Sequence, residues 1–347
     1  MKYREGYIDA LRGLAMLMVV ICHIEGFSIF IEEFHITLLR RICEGVMLPL
    51  FFFISGSIFK TQTCESIIEK CCQLLIPAIL IGIIYSVKIN KDVISFFLNI
   101  YKYGYWFTIT LCEMIVLLFV LTKIITRENS LIVILVLSSF LLYIAKIPFN
   151  NIPVLVKIGD MLCLHQFFIY FQYFSIGYVL SKQKVFFQKI LNSEICILTS
   201  IFIFVAVIFV KYSYTDEQLA TSIILRIYRL LQDPILGYAG IMILYRAFFS
   251  NKEIVSNTYY GKTLIFIGQH TFEIYLLHYF FLPQLPQLGV YLVNYPSFIL
   301  ELLIVVVLSY AVILVSMICG KIIGINKILG FIFLGAKPQI LNKINSK

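Results

Sequence analysis

Charge is what this sequence has least of. Only 14% of its 347 residues are Asp, Glu, Lys or Arg, while 61% are hydrophobic. A water-soluble fold needs roughly a quarter of its residues charged to cover its surface, so a soluble protein is excluded. Alternating ten-residue segments are missing too. The apolar residues come in continuous runs of about 20, which excludes an outer-membrane barrel and points to transmembrane helices. Cysteine is odd in number, at nine, and forms no C-x-x-C pair. Cys22, Cys112, Cys163, Cys196 and Cys319 sit in or beside apolar stretches. Neither a zinc site nor a disulfide framework is indicated, and most of the thiols read as small buried hydrophobes. The same composition excludes disorder and collagen.

What is present is a polytopic, all-α membrane protein. Runs of about 17 to 25 mostly apolar residues place about ten spans, near 7–24, 44–60, 73–88, 106–125, 130–146, 164–181, 195–211, 222–248, 263–282 and 298–320. They use most of the chain and leave no room for a soluble domain, so any chemistry belongs in the helical bundle. No repeat, low-complexity tract or Gly/Ser linker interrupts the chain, which reads as a single domain over residues 1–347. The first apolar run follows Lys2 and Arg4, but no small-residue cleavage site comes after it, so it reads as a retained span.

The net charge of +9 comes from basic residues scattered over short connecting segments. That pattern sets orientation and does not suggest nucleic-acid binding. With the N-terminus inside, the inner segments hold Lys2, Arg4, Lys60, Lys123, Arg127, Lys337, Lys343, Lys347 and others, about twice the outer set. The outer set includes Arg40, Arg41, Lys88 and Lys102. Both termini are then expected on the cytoplasmic side.

An ionisable side chain at the centre of a membrane helix costs about 2.5 to 3.5 kcal/mol on insertion scales, so such residues are candidates for function. In the first span Arg12 and His23 stand eleven residues apart. On an α-helix that is three turns plus about 20°, which puts them on one face about 16 Å apart along the axis. Asp9 precedes Arg12 by three residues on nearly that face and is placed to hold the guanidinium. Two readings fit the spacing alone. Either Arg12 snorkels as an inner-surface anchor and His23 is an interfacial histidine, or both line one site.

The span around residues 263–282 reads IGQHTFEIYLLH, with Thr271, Tyr275 and His278 on one stripe and Glu273 pointing elsewhere. Such a stripe either lines a site or hydrogen-bonds a neighbouring helix. Ser55 and Gly56 in PLFFFISGSIF permit close helix approach, and Trp106 beside Tyr105 and Phe107 suits an aromatic belt. Glu113 lies deeper in that span. Arg226, Arg229 and Asp233 form a further charged group along one helix, able to neutralise itself in part. No role follows for Glu113, Arg226, Arg229, Asp233 or Glu273.

Taken together, four of these segments resemble one family. YIDALRGLAMLMVVICH resembles the Arg-x10-His segment of the acyltransferase family 3 membrane proteins. PLFFFISG resembles their Phe-Phe-x-x-Ser-Gly segment, YWF their Trp-Phe segment, and GQHTFEIYLLH their late Gly-x-x-Ser-x-x-x-Tyr-Leu-x-His segment. The order matches, and Thr271 stands where the family usually has Ser, which keeps a hydroxyl. The resemblance covers essentially the whole chain in a stand-alone form. It implies transfer of an acyl group, most often acetyl from cytoplasmic acetyl-CoA as co-substrate, to a sugar hydroxyl of a bacterial envelope polysaccharide or its lipid-linked precursor. It further implies residence in the inner membrane, no metal, and Arg12 and His23 as the essential pair, with Ser55, Gly56, Trp106, Tyr275 and His278 lining the site. On that basis His23 is expected to act as the base, Arg12 to bind the donor, and Tyr275 and His278 to stabilise the oxyanion or relay a proton. A transporter or flippase of an envelope precursor is the alternative, but the inverted-repeat symmetry it would carry is not seen.

Overall fold

The computed structural model describes residues 6–30, 37–60, 63–213 and 223–336. Lys2, Arg4, Lys337, Lys343 and Lys347, which entered the orientation count, lie outside the described residues, as do 31–36 of the 25–43 connection. Every regular element among the described residues is helical. That is the form a backbone takes in hydrocarbon when its polar groups must be satisfied within one segment.

The chain opens with α1 (Gly6–Ile24), which widens into a π-helical turn over Glu25–Ile29, and continues with α2 (Leu38–Ser57). Next come α3 (Cys64–Lys88), the short α4 (Val93–Leu98), a 3-10 turn at Lys102–Gly104, α5 (Trp106–Ile124) and α6 (Glu128–Asn150). α7 (Pro153–Leu162) and α8 (Leu164–Lys182) meet at a 63° bend. Cys163 sits at that bend in the left-handed region, with φ 56°. α9 (Lys184–Leu191), α10 (Glu194–Ser213), α11 (Ile223–Ser250), α12 (Lys252–Asn257) and α13 (Tyr259–Gln269) follow. α14 (Thr271–Leu277) runs into a 3-10 turn at His278–Phe281, and α15 (Pro286–Asn294), α16 (Phe298–Ile325) and α17 (Lys327–Leu334) complete the described chain.

The helix starts obey ordinary capping chemistry. The Thr63 hydroxyl accepts from the Ser66 N–H at 3.3 Å, Asp92 from Ser95 at 2.6 Å, and Thr258 from Gly261 at 3.2 Å. Asn326 opens α17 by accepting from the Ile328 and Leu329 N–H groups.

Among the described residues, six helices are long and apolar enough to cross a bilayer: α1 with its π turn, α3, α5, α6, α10 and α16. The bent pair α7 and α8 makes a seventh if it counts as one span. The sequence reading of about ten also counted α2, α11 and the segment 263–282. α2 carries Arg40, Arg41 and Glu44, and α11 carries Arg226, Arg229, Asp233 and Arg246, which dilutes their apolar character. The last segment is not one helix: it breaks at His270 into α13 and α14.

The chain divides into two compact units. The first comprises Met1–Ile54, Leu180–Thr271 and Leu282–Ile313. Its tightest contact joins α1 to α13 through two glycines. A Cβ on Gly13 would land on the Leu264 carbonyl oxygen, and one on Gly268 on the Asp9 carbonyl oxygen. Backbone therefore meets backbone, as small residues allow between membrane helices. Elsewhere in this unit Leu236 of α11 is fully buried against Val207 and Ile208 of α10.

The second unit comprises Ser55–Val179, Phe272–Phe281 and Leu314–Lys347. Here the α4–α5 connection is pinned by Lys102, whose ammonium donates to the carbonyls of Phe97 at 2.6 Å, Asn99 at 2.9 Å and Asp160 at 2.5 Å. All three of its protons are used. Burial lowers the pKa of this ammonium from the ordinary lysine value. Gly104, at φ 104°, lies so close to the Tyr279 ring that a Cβ there would overlap it.

Candidate functional site

In the first unit the site starts from the α1–α13 contact. Because Gly13 and Gly268 let the two helices touch, Arg12 reaches the residue that opens α14. Its Nη2 donates to the Thr271 hydroxyl at 2.9 Å. Its Nη1 lies 3.6 Å from the Asp9 carboxylate one turn back, and the Asp9 side chain is only 3% exposed. The Arg12 side chain keeps 22% exposure. A guanidinium held from two sides is fixed in orientation, and its partial exposure suits recognition of a phosphate or carboxylate. Asp9 does what its spacing predicted. The spacing of Thr271 puts it on a stripe with Tyr275 and His278, and the structure adds its bond to Arg12.

His23 lies near the end of α1, about 16 Å along the axis from Arg12, and is half-buried. Its ring centroid is 5.6 Å from that of Phe27. Immediately after it the helix widens, and the Phe30 N–H bonds to the Glu25 carbonyl at 2.9 Å. π-Turns of this kind occur frequently at functional sites.

In the second unit Gly56 lies against α8, where a Cβ would overlap the Phe174 carbonyl oxygen, and Ser55 beside it is half-buried. Trp106 is the first residue of α5 and stacks on Tyr170, with centroids 5.5 Å apart and planes 24° from parallel. Tyr275 is buried among the rings of Tyr105 at 5.9 Å and Phe107 at 5.8 Å. Its hydroxyl is buried beside Thr108. His278 is fully buried in the 3-10 turn, with Nδ1 2.8 Å from the Ile274 carbonyl oxygen. That contact fixes the tautomer, with Nδ1–H donating and the lone pair on Nε2.

The other candidates have separate surroundings. The Glu113 Oε2 atom is buried without a hydrogen-bond partner among the described residues and lines an apolar groove of about 560 Å³ with Cys71, Leu75 and Val116. Asp233 pairs with Lys211 of α10 at 2.6 Å. Arg226 and Arg229 are exposed. Glu273 turns its carboxylate onto Gly320 of α16, where a Cβ would come within 3.0 Å of Oε2.

Residues 5–321 match the family model of the family-3 acyltransferase domain, nearly the whole chain. The chain belongs to acyltransferase family 3. Membership makes it a membrane acyltransferase in general terms. The four segments that carry the likeness fall on α1, the end of α2, the start of α5, and the α13–α14 junction with the following turn. No curated protein and no solved structure matches the chain.

Three features were not anticipated from the sequence. These are the π turn at Glu25–Ile29, the glycine-mediated contact of α1 with α13, and the break at His270. His270 itself was a signal, since a polar residue between two short apolar stretches is placed to end a helix. Its N–H closes the last turn of α13 on the Ile267 carbonyl, and its Nδ1 lies 2.8 Å from the Phe266 carbonyl oxygen.

Proposed function

We propose that this family-3 acyltransferase moves an acetyl group from cytoplasmic acetyl-CoA to a sugar hydroxyl of a bacterial envelope polysaccharide or its lipid-linked precursor. It would do so in the inner membrane, with about ten membrane-crossing segments and both termini in the cytoplasm. The observation that carries this reading is the anchoring of Arg12 by Asp9 and Thr271, eleven residues before His23 on one face of α1.

A cation near the inner surface and an imidazole toward the outer one suit a donor that is anionic at one end and reactive at the other. In this reading Arg12 holds the CoA phosphates through paired N–H donors. The pantetheine arm then carries the thioester about 16 Å along α1 toward His23. The neutral His23 imidazole takes the proton of the acceptor hydroxyl as its oxygen attacks the thioester carbonyl. Collapse of the tetrahedral adduct breaks the C–S bond. The imidazolium returns the proton to the departing sulfur, leaving the O-acetyl sugar and free CoA thiol. Tyr275 and His278 serve the oxyanion or a proton relay. Ser55, Gly56 and Trp106 shape the donor pocket. Transfer is direct, because nothing beside Ser55 marks it as an activated nucleophile.

The reading is tested by giving purified protein in lipid radiolabelled acetyl-CoA together with crude envelope glycan. Label should move to glycan with the parent and not with His23→Ala. Label that moves to glycan equally in both would remove His23 from its role.

A further inference from the structure

Acyl transfer makes no use of the nine free thiols. Two helices of the second unit bring one pair of them together. Cys71 of α3 and Cys112 of α5 hold their thiols close enough to interact, and the Cys112 sulfur lies 4.0 Å from the Cys71 carbonyl oxygen. They are 41 positions apart in sequence, so helix packing and not a local motif makes the pair.

Both residues line the apolar groove of about 560 Å³ between α3 and α5, together with Leu75, Ile109, Glu113 and Val116. α3 and α5 are membrane-crossing helices, and Val116 and Val120 on the groove are 44% and 41% exposed. The groove therefore opens onto hydrocarbon. Cys71 directly follows Lys70, where the charged first turns of α3, with Glu65 and Glu69, give way to the apolar run from Leu74. That position is the edge of the bilayer core. A thiol reacts only where a reagent can reach it, and Cys71 is half-buried, on an open groove. The thiols of Cys22 and Cys43 in the first unit also interact, but those residues are closed in at 4% and 3% exposure.

We propose that Cys71 and Cys112 are a reversible dithiol that a membrane quinone, entering from the lipid side, oxidises to a disulfide joining α3 to α5. Two S–H bonds break and one S–S bond forms. The two electrons and two protons pass to the quinone, which leaves as the quinol. A thiol reductant reverses the step by exchange. The surroundings select the oxidant: an apolar groove with few polar groups admits an apolar body with a small polar head, and a charged, water-borne disulfide has no path through hydrocarbon. The quinol brings two O–H donors, and Glu113, the next residue after Cys112 on the groove, carries a carboxyl oxygen with no hydrogen-bond partner among the described residues. The bond closes a long loop and holds α5, which begins at Trp106, against α3.

Oxidation of this pair needs neither acyl donor nor glycan, so its test is separate from that of acyl transfer. Reduced protein in proteoliposomes is mixed with a fully substituted benzoquinone bearing a decyl tail. Free thiols are then counted after denaturation, and linked peptides are mapped by mass. The parent should lose two of its nine free thiols, yield the Cys71–Cys112 linked peptide, and convert one equivalent of quinone to quinol. Cys71→Ser and Cys112→Ser should lose none. Val116→Trp fills the groove but keeps both thiols, so it should react more slowly than the parent with the quinone and still form the same bond with diamide, a small neutral oxidant. A parent that keeps all its thiols under saturating quinone would overturn the proposal, as would a bond mapped to other cysteines. Quinone oxidation as fast in Val116→Trp as in the parent would overturn entry through the groove.

Discussion

Arg12 donates to the Thr271 hydroxyl across 259 positions of sequence, at 2.9 Å, while Asp9 holds its other nitrogen from one turn away. The bond exists because Gly13 and Gly268 bring the α1 and α13 backbones into contact just below it. One motif, at the start of the chain, is thus aimed by another near its end. The family usually has serine where Thr271 stands, and the contact explains what either residue supplies: a hydroxyl that accepts from a guanidinium.

Replacing that hydroxyl tests its part in orienting Arg12. A hydrogen bond to a charged group contributes about 1.5 to 3 kcal/mol, so Thr271→Val should lower kcat/KM for the acyl donor by about tenfold to a hundredfold. Thr271→Ser should stay near the parent. The measurement is thiol release at varied acetyl-CoA, and equal losses in both variants would contradict the account.

The two glycines can be tested by stability alone. Gly13→Ala or Gly268→Ala places a methyl group onto a backbone carbonyl, and forcing the helices apart should cost about 1 to 3 kcal/mol. Gly324→Ala in α16 meets nothing within 4 Å and should be neutral or slightly stabilising. Melting in detergent, read by loss of the monodisperse peak on gel filtration, distinguishes the three.

Lys102 offers a third case. Lys102→Met removes the donor from three carbonyls at once, which should destabilise by about 2 kcal/mol or more. A melting temperature unchanged from the parent would show that water replaces the ammonium.

Trp106 is the single tryptophan of the chain, so intrinsic emission reports on its surroundings alone. If Trp106 lines the donor pocket, a non-reactive CoA analogue should change that emission in the parent and leave it unchanged in Arg12→Ala. A parent emission indifferent to saturating analogue would remove Trp106 from the donor site.

Much of this was legible in the sequence because bilayers leave few choices. Low charge and runs of about 20 apolar residues demand helices, and a helix of fixed pitch puts Arg12, His23 and Asp9 on one face without further information. What was not legible depends on the approach of distant segments. Nothing local says that Gly13 meets Leu264 and not another helix, or that Thr271 is the partner of Arg12. The π turn has the same origin. Periodicity simply ends after Ile24, and the contacts that Thr37, Leu285 and Gly289 make with the Glu25–Ile29 turn come from residues outside it. Helix length was less legible for a related reason: α2 and α11 carry charged residues that weaken their apolar character, and His270 splits the segment 263–282 into two helices.

The division of labour along α1 is the central claim, and one experiment reaches it directly. Thiol release from acetyl-CoA is measured in proteoliposomes with saturating envelope glycan, for the parent, Arg12→Ala and His23→Ala, across a range of acetyl-CoA. The account predicts a raised KM for acetyl-CoA with Arg12→Ala and a collapse of kcat, by about a hundredfold or more, with His23→Ala. Full turnover by His23→Ala, or an Arg12→Ala variant with unchanged KM, would contradict it.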